Sequence, residues 1–157
     1  ADYVSKVVSV YRRATDAIKE GTVNEDLVKE LTTELKQVYN KDFSTGFFVD
    51  YPHHQRADSY GSKSSTQKVQ IGKVSNYYKK ISAAEFKVEC DEVNVGDKLT
   101  FIGPTTGCKE LIVSEMYDDS GKIELAEKGT LITIKTDFLV RENDKVYLIR
   151  ERKWKEN

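Results

Sequence analysis

The chain is poor in cysteine, in long apolar runs and in charge of one sign. Its two cysteines, Cys90 and Cys108, are too few for a metal knuckle, so we expect reduced thiols, with a disulfide between them left open. No stretch approaches the roughly 18 apolar residues of a membrane span, and residues 1–20 lack a secretion-signal pattern. We expect a cytoplasmic protein with no membrane partner.

The charges are closely balanced, with 25 Lys and Arg against 26 Asp and Glu and a net charge of -1. Such a chain has no global field to attract nucleic acid or an acidic membrane, so any such role must rest on a local patch. At 157 residues the chain is one domain, or one domain with an appendage, and it is long enough to bury a core.

The N-terminal part has helical periodicity. Apolar residues recur there in steps of three and four, at Val4, Val7, Val8, Tyr11, Ala14, Ala17 and Ile18. Gly21 predicts a helix end, and Thr22 with Glu25 predicts a capping box for the next helix, with Asn24 as the alternative cap. That helix runs to about Tyr39 with a stripe at Leu27, Leu31, Leu35 and Val38. We predict a helical hairpin over residues 1–39. Because the chain begins inside a predicted helix, we also expect it to be a piece of a longer protein.

From Lys68 onward the apolar period becomes two, which is typical of strands with one buried face. The alternating pairs are Val69 and Ile71, Phe86 and Val88 with Cys90, Leu99 and Phe101, Leu111 and Val113, Ile123 and Leu125, Ile132 and Ile134, and Val146 and Leu148. About seven short strands with turns between them predict a closed antiparallel barrel over residues 68–157, since closure removes the edges that a sandwich exposes. The predicted fold class is α+β: a helical hairpin followed by this small barrel.

Two strand entrances share a motif. Gly96-Asp97-Lys98 precedes Leu99, and Asn143-Asp144-Lys145 precedes Val146. Gly and Asn suit a left-handed turn position, so both motifs are predicted to be turns that lead into strands. We interpret the similarity as convergent turn chemistry.

A hinge and polar linker over residues 40–67 separate the two patterns. The hinge, from Asn40 to Phe48, places three phenylalanines around a Ser-Thr-Gly turn, and residues 50–67 form a functional arm or a mobile linker. Ser44 and Thr45 have no base to activate them as nucleophiles. We interpret their hydroxyls as partners of backbone groups, flanked by Phe43 and Phe47 as anchors.

Taken together, these segments resemble the C-terminal region of the collagenase-like peptidase family U32. The residues that carry the resemblance are Tyr11-Arg12 with Ala14 and Ala17, Glu34-Leu35-Lys36, Asn40 to Phe48, Ile71 to Val74, and Val95-Gly96-Asp97 with Leu99. The specific part is the run Asn40, Phe43, Ser44, Thr45, Gly46 and Phe47. Where the family usually continues with an aromatic residue and a glycine, this chain has Phe48-Val49-Asp50, so the loop after it need not follow the family's path.

The resemblance implies a longer enzyme whose catalytic domain precedes this chain. Residues 68–157 would be an accessory barrel similar to those of translation factors. Family members are named as peptidases, several are implicated in hydroxylating transfer or ribosomal RNA, and some relatives hold an iron-sulfur cluster in the catalytic part. The resemblance therefore implies no catalytic residue and no cofactor in this chain. Its implied partners are its own N-terminal catalytic domain and an RNA or protein substrate.

Other candidate sites have simpler interpretations. His53 and His54 are adjacent, so in an extended loop they point apart and do not share a metal ion. The cysteines follow no cluster spacing, and Cys90 lies on the apolar face of its strand. Asp118 to Gly121 lacks the distal glutamate of a calcium loop and predicts a hairpin turn. We expect no metal site.

The nearest approach to a functional surface is basic and aromatic. It comprises Tyr78, Lys79 and Lys80 in one stretch and Arg150, Arg152, Lys153 and Trp154 in another. Cations for phosphate and rings for bases would contact RNA if both stretches share one face; otherwise they are solvated charge. Three hypotheses follow: a non-catalytic module that holds or gates substrate, an RNA-binding barrel of a modification enzyme, and a self-association module.

Overall fold

The computed structural model of the chain describes residues 2–44, 48 and 62–152. These residues fall into two compact units, Asp2–Thr66 with Arg152, and Gln67–Glu151. The first unit contains two helices and the second contains nearly all of the strands. The prediction of helices followed by an antiparallel sheet, and hence of the α+β class, is confirmed.

Helix α1 (Asp2–Glu20) and helix α2 (Glu25–Lys36) form a hairpin. At the end of α1, Gly21 has φ 70°, which lets its amide donate to Ile18 while the amide of Thr22 donates to Ala17. The cap of α2 is Asn24, whose side-chain oxygen accepts the amide of Leu27 at 2.8 Å. Of the two caps considered from the sequence, the structure uses Asn24.

The two helices meet along a narrow seam. Val10, Ala17 and Leu31 are its buried residues, and Arg13 bridges Glu30 and Glu34 across the seam. The predicted face of α1 is therefore wrong in part. Val10, which lay outside it, is buried, whereas four of its members are largely exposed: Val4, Val8, Tyr11 and Ile18.

Helix α2 ends at Lys36, earlier than the predicted Tyr39. The reason lies in the partners of its last carbonyls. The carbonyl of Lys36 accepts the amide of Ser65, and that of Gln37 accepts the hydroxyls of Ser64 and Thr66. These carbonyls face the segment that returns at residue 62 and are taken by groups outside the helix.

The second unit is built from ten strands rather than about seven. They are β1 (Thr66–Tyr78), β2 (Ala83–Lys87), β3 (Val93–Asn94), β4 (Lys98–Gly103), β5 (Gly107–Ile112), β6 (Met116–Asp118), β7 (Gly121–Ile123), β8 (Leu125–Ala126), β9 (Leu131–Lys135) and β10 (Lys145–Glu151). Eight form one sheet in the order β5-β4-β10-β1-β2-β9-β6-β7, and β3 pairs with β8. Every strand pair whose register is resolved is antiparallel.

One hydrophobic core lies against this sheet. Phe101 sits at its centre with edge-on ring contacts to Phe86 at 6.3 Å and Phe138 at 5.7 Å. Residues from all the long strands join it, including Ile71, Leu99, Ile132, Ile134, Val146 and Leu148, each fully buried. In the described part of the chain the order ends at β5 and β7 with no ladder joining them, so closure into a barrel stays a prediction.

The shared entrance motif behaves as predicted. Gly96 has φ 95° and Asn143 has φ 69°, both in the left-handed region. The following aspartates cap these turns in the same way: Asp97 accepts the amide of Asn94, and Asp144 accepts the amide of Arg141, each at 2.8 Å. The two strands that follow, β4 and β10, pair directly.

The two cysteines are thiols, as expected. The prediction that Cys90 is a core residue is wrong, because it is exposed. The strand ends at Lys87, and Asp91 turns the chain with φ 66°, so the alternation that buries Phe86 and Val88 does not reach Cys90. Cys108 lies in β5 and is half-buried.

Neither helix in the described residues combines the length and the apolar character needed to cross a membrane.

Candidate functional site

Asn40, the first residue of the hinge, forms hydrogen bonds with the end of α2, with the hinge and with the segment that begins at residue 62. Its side-chain amide donates to the carbonyls of Lys36 at 3.1 Å and Val38 at 2.9 Å, and its side-chain oxygen accepts the amide of Asp42 at 3.2 Å. Its own carbonyl accepts the amide of Lys63 at 2.7 Å. Only an amide side chain offers two donors and an acceptor here, which explains why the hinge begins with asparagine.

Asp42 makes the second tie between the hinge and the returning segment. It has φ 81°, and its carboxylate contacts Lys63 Nζ at 3.1 Å and accepts the amide of Phe43 at 3.0 Å. The hydrogen bond from Lys63, followed by that from the Phe43 amide, lowers the pKa of Asp42. These contacts make Asn40 and Asp42 structural residues.

The anchoring role of the hinge aromatics stays a prediction. Phe43 is 46% exposed, and Ser44 is also exposed. Thr45, Gly46 and Phe47 lie outside the described residues.

The hinge also lines a groove of ≈ 370 Å³ on the helical unit. Its walls come from α1, from the end of α2 and from the hinge: Tyr3, Val7, Tyr11, Leu35, Val38, Tyr39 and residues 40–43. Beside it runs the exposed stripe of α1, which we define as Val4, Val8, Tyr11 and Ile18; their exposed fractions lie between 60% and 70%. The helical hairpin thus leaves an apolar, partly aromatic face uncovered.

The first basic-aromatic stretch begins at the end of β1. Tyr78 is its last residue, and Lys79 and Lys80 are exposed in the turn before β2. The Tyr78 hydroxyl donates to Glu85 at 2.6 Å, and this hydrogen bond raises the pKa of Tyr78. The ring therefore lies next to a carboxylate.

The second stretch is engaged with protein groups. Arg150 contacts Asp91 at 3.1 Å and the carbonyl of Glu92 at 3.4 Å, and Arg152 donates to the carbonyl of Ser62 at 2.9 Å. Lys153 and Trp154 lie outside the described residues.

The structure does not bring Arg150 near Tyr78. The amide of Val74 donates to the carbonyl of Asp144, and Lys68 lies over the ring of Tyr147, so β10 runs back along β1. Tyr78 is four residues beyond Val74, and Arg150 is six residues beyond Asp144 in the opposite direction. Ten residues of strand therefore lie between them along β1 and β10, a path of about 33 Å when fully extended.

The described residues include no group of three His, Cys, Asp or Glu side chains arranged to hold a metal ion. His53 and His54 lie outside them. Asp118 to Gly121 is the predicted hairpin turn between β6 and β7. One carboxylate oxygen of Asp118 accepts the amides of Ser120 and Gly121 and the Ser120 hydroxyl.

Comparison with known proteins places these features in a family. Residues 1–58 match the model of peptidase family U32. Over 96% of its length the chain is 38% identical to an uncharacterized protease of Methanocaldococcus jannaschii and 32% identical to a collagenase of Porphyromonas gingivalis. Over 76% of its length it is 28% identical to the tRNA hydroxylation protein P1 of Bacillus subtilis.

The chain spans little more than a third of two of the curated relatives it matches, 37% of the Methanocaldococcus protein and 36% of the Porphyromonas protein, and it spans 28% of the Bacillus protein. Among solved structures, the C-terminal domain of a Geobacillus thermoleovorans protein described as a U32 peptidase matches 54% of the chain and 92% of that domain. The TM-score is 0.46 at 16% identity, too loose to carry an argument. The family model matches residues 1–58, so that part of the chain belongs to peptidase family U32, and the two relatives that align along almost the whole chain are named as a protease and a collagenase.

Proposed function

We propose that this chain is a non-catalytic accessory part of a longer U32 protein, which helps to hold or gate substrate for a catalytic domain elsewhere in that protein. Any protease chemistry, and any iron-sulfur cluster, would belong to that other domain. In this proposal the sheet of the second unit closes into a barrel similar to those of translation factors. The observation that carries the proposal is the exposed stripe of α1.

The stripe has the properties of a contact surface. It lies roughly a third of a turn around α1 from the seam that Val10 and Ala17 form with α2. Contiguous exposed apolar residues on a soluble domain mark interaction surfaces, and burying a large apolar side chain is worth about 1.5–3 kcal/mol. Covering four such side chains would favour seating the hairpin on another domain.

The names of two relatives support a proteolytic role for that domain. The matched part of the Methanocaldococcus and Porphyromonas proteins is only about a third of each, so most of each chain lies outside the match. Both are named for proteolysis, as a protease and a collagenase. The substrate that the accessory part helps to hold would then be a protein.

The test is association between this chain and the separately expressed remainder of its reading frame, measured by titration calorimetry. Val8→Asp is expected to weaken the complex at least about tenfold, since it places a charge in the buried contact. Ser9→Asp, at the neighbouring exposed position on the polar face of α1, is the matched control and is expected to bind as the wild type does.

Equal weakening by both substitutions, or no association of the wild-type chain, would count against the proposal. Sedimentation of the chain alone separates a further outcome. A dimer that Val8→Asp dissociates would assign the stripe to a second copy of the chain instead.

A second candidate function is favoured by the similarity to the tRNA hydroxylation protein. In this alternative the second unit grips RNA for a modification enzyme through the basic-aromatic residues Tyr78, Lys79, Lys80, Arg150, Arg152, Lys153 and Trp154. Since Tyr78 and Arg150 lie about 33 Å apart along the strands, one RNA would have to span both stretches.

Titration of labelled transfer RNA at about 50 and about 200 mM salt tests this alternative, because each neutralised phosphate steepens the salt dependence. The double variant Lys79→Ala with Lys80→Ala is expected to flatten the salt slope, whereas Lys128→Ala, in a turn elsewhere, leaves it unchanged. Absence of binding at the lower salt concentration would remove the candidate.

A further inference from the structure

The outer face of the second unit carries a groove that the sequence did not reveal. It has a volume of ≈ 570 Å³ and crosses strands β2, β9 and β6, with the turn after β1 at one end and the β6–β7 turn at the other. We call it the outer groove. Its lining residues are Tyr78, Ile81, Ala83, Glu85, Glu115, Tyr117, Asp118, Asp119, Leu131, Thr133 and Lys135.

Strand register explains how these distant residues meet. Glu85 pairs with Thr133, and Thr133 pairs with Tyr117, so the three side chains form one row across the sheet on the face opposite the core. In the next row Tyr78 pairs with Ala83 and Ala83 with Lys135. Ala83 is 4% exposed, and its small side chain lies at the bottom of the groove between Tyr78 and Tyr117.

The floor is apolar and aromatic, and much of it is open to solvent. Tyr78 and Tyr117 are each 39% exposed, Leu131 is 40% exposed and Ile81 is 61% exposed. Two tyrosine rings at opposite sides of a groove offer flat faces to a ligand at small entropic cost. The three strand spacings between β1 and β6 place them about 14 Å apart across the sheet.

The rim is acidic. Glu85, Glu115, Asp118 and Asp119 all line the groove, against Lys135 within it and Lys122, which contacts Glu115 at 3.0 Å. Four carboxylates minus two ammonium groups leave two negative charges. The hydrogen bond to Glu85 is the largest cause that raises the pKa of Tyr78, and the charge of Asp119 is a smaller one, which agrees with carboxylates gathered around that ring.

We propose that the outer groove binds an extended peptide segment carrying basic side chains, with the tyrosine rings receiving the arginine or lysine stems and the rim carboxylates pairing with their charges. Guanidinium groups stack on tyrosine faces and form charge-assisted hydrogen bonds with carboxylates. A polyproline-like or extended strand advances about 3 Å per residue, so four to five residues bridge the two rings.

The inference rests on the proposed accessory role and deepens it, since it assigns the substrate segment that the second unit would hold. The probe is a short fluorescein-labelled peptide of alternating arginine and proline residues, titrated with the full 157-residue chain and followed by fluorescence anisotropy. A peptide with glutamate in place of arginine is the charge control. We expect the basic peptide to bind, with an affinity that falls as salt is added, and the acidic peptide not to bind.

Two substitutions locate the site. Asp119→Asn removes a rim charge in an exposed turn without touching the core, and Tyr117→Ser removes one ring. Each is expected to weaken the basic peptide by a factor of about three to ten. Glu20→Gln, at the end of α1 in the other unit, removes an equal charge outside the second unit and is expected to leave binding unchanged.

Equal binding of the acidic and basic peptides, or binding indifferent to both groove substitutions, would overturn the inference. The inference would also be overturned, in favour of an RNA site, if transfer RNA displaces the peptide and if Tyr117→Ser and Asp119→Asn weaken the binding of that RNA. If the peptide fails while the α1 stripe still binds the rest of the protein, the accessory role stands and only this substrate assignment is lost.

Discussion

The carboxylate of Asp144 occupies the space beside Gly103 in which any other residue would place its first side-chain carbon. A Cβ built on Gly103 would lie 1.7 Å from Asp144 Oδ1 and 2.4 Å from its Cγ. Asp144 is 2% exposed and is held by the amide of Arg141 and the hydroxyl of Thr106, so it has no room to move aside. The turn before β10 and the end of β4 are fitted to each other at this point.

Gly103→Ala is therefore expected to lower the free energy of unfolding by about 2–4 kcal/mol, through overpacking and through loss of hydrogen bonds to a buried charge. Chemical denaturation measures it. The double variant Gly103→Ala with Asp144→Ala relieves the clash, so its loss should be smaller than the sum of the two single losses. Strict additivity would show that the two residues are not coupled.

Asn40→Ala removes the side-chain donors to Lys36 and Val38 and the acceptor for Asp42. We expect the helical unit to lose about 1–2 kcal/mol, with faster hydrogen exchange at the amides of Lys63 and Ser65. Lys41→Ala, at the next and exposed position, is the control. Unchanged exchange at Lys63 in the Asn40 variant would contradict this structural role.

Two buried threonines should respond to valine in opposite directions. The hydroxyl of Thr100 is buried and has no hydrogen-bond partner among the described residues, whereas that of Thr136 donates to the carbonyl of Phe138 at 2.8 Å. Thr100→Val is expected to be neutral or stabilising by up to about 1 kcal/mol, and Thr136→Val destabilising by about 1 kcal/mol. Thermal denaturation of both variants decides this, and a large loss for Thr100→Val would reveal a partner.

The β6–β7 turn should show a pH signature. The side-chain hydrogen bond from Ser120, followed by its amide and that of Gly121, lowers the pKa of Asp118 below its ordinary value of 3.8. A lowered folded-state pKa means that the carboxylate stabilises the turn above pH 3.8, and that this contribution disappears as the pH falls through the lower folded value. Stability should therefore fall on the acid side of pH 3.8.

Carboxyl NMR titration checks this directly. Ser120→Ala removes the largest cause and is expected to move the pKa of Asp118 upward toward 3.8, while Ser114→Ala, outside the turn, leaves it unchanged. An Asp118 pKa that does not respond to Ser120→Ala would show that the turn amides alone are responsible.

Local patterns predicted much of the second unit. The alternation of Leu99 with Phe101 and of Val146 with Leu148 identifies strands whose buried faces meet, and Gly96 and Asn143 mark their left-handed entrances. These features depend on neighbours in the sequence. The end of β2 before Cys90 does not depend on such neighbours. It is set by the point at which the partner strand β9 stops pairing, at Leu131.

The candidate sites were harder to predict from the sequence, because they depend on contacts between residues that are far apart in the chain. Apolar residues cover a broad arc of α1, and nothing in their spacing says that Val10 faces α2 while Val8 faces outward. The outer groove depends on Glu85, Thr133 and Tyr117 sharing a row, which requires the pairing register of three strands that are far apart in the chain. The sequence shows only that polar residues alternate along each of these strands. It does not show which residue of one strand lies beside which residue of the next.

The ties of Asn40 to Ser62 and Lys63 fasten together two points that are 22 and 23 positions apart. These hydrogen bonds join the two ends of the intervening segment, so they do not depend on the number of residues between them. Doubling the length of a flexible loop costs only about 0.6 kcal/mol once its ends are fixed. Insertions or deletions between Phe48 and Ser62 are therefore expected to cost this chain little stability as long as Asn40 keeps its hydrogen bonds to Ser62 and Lys63.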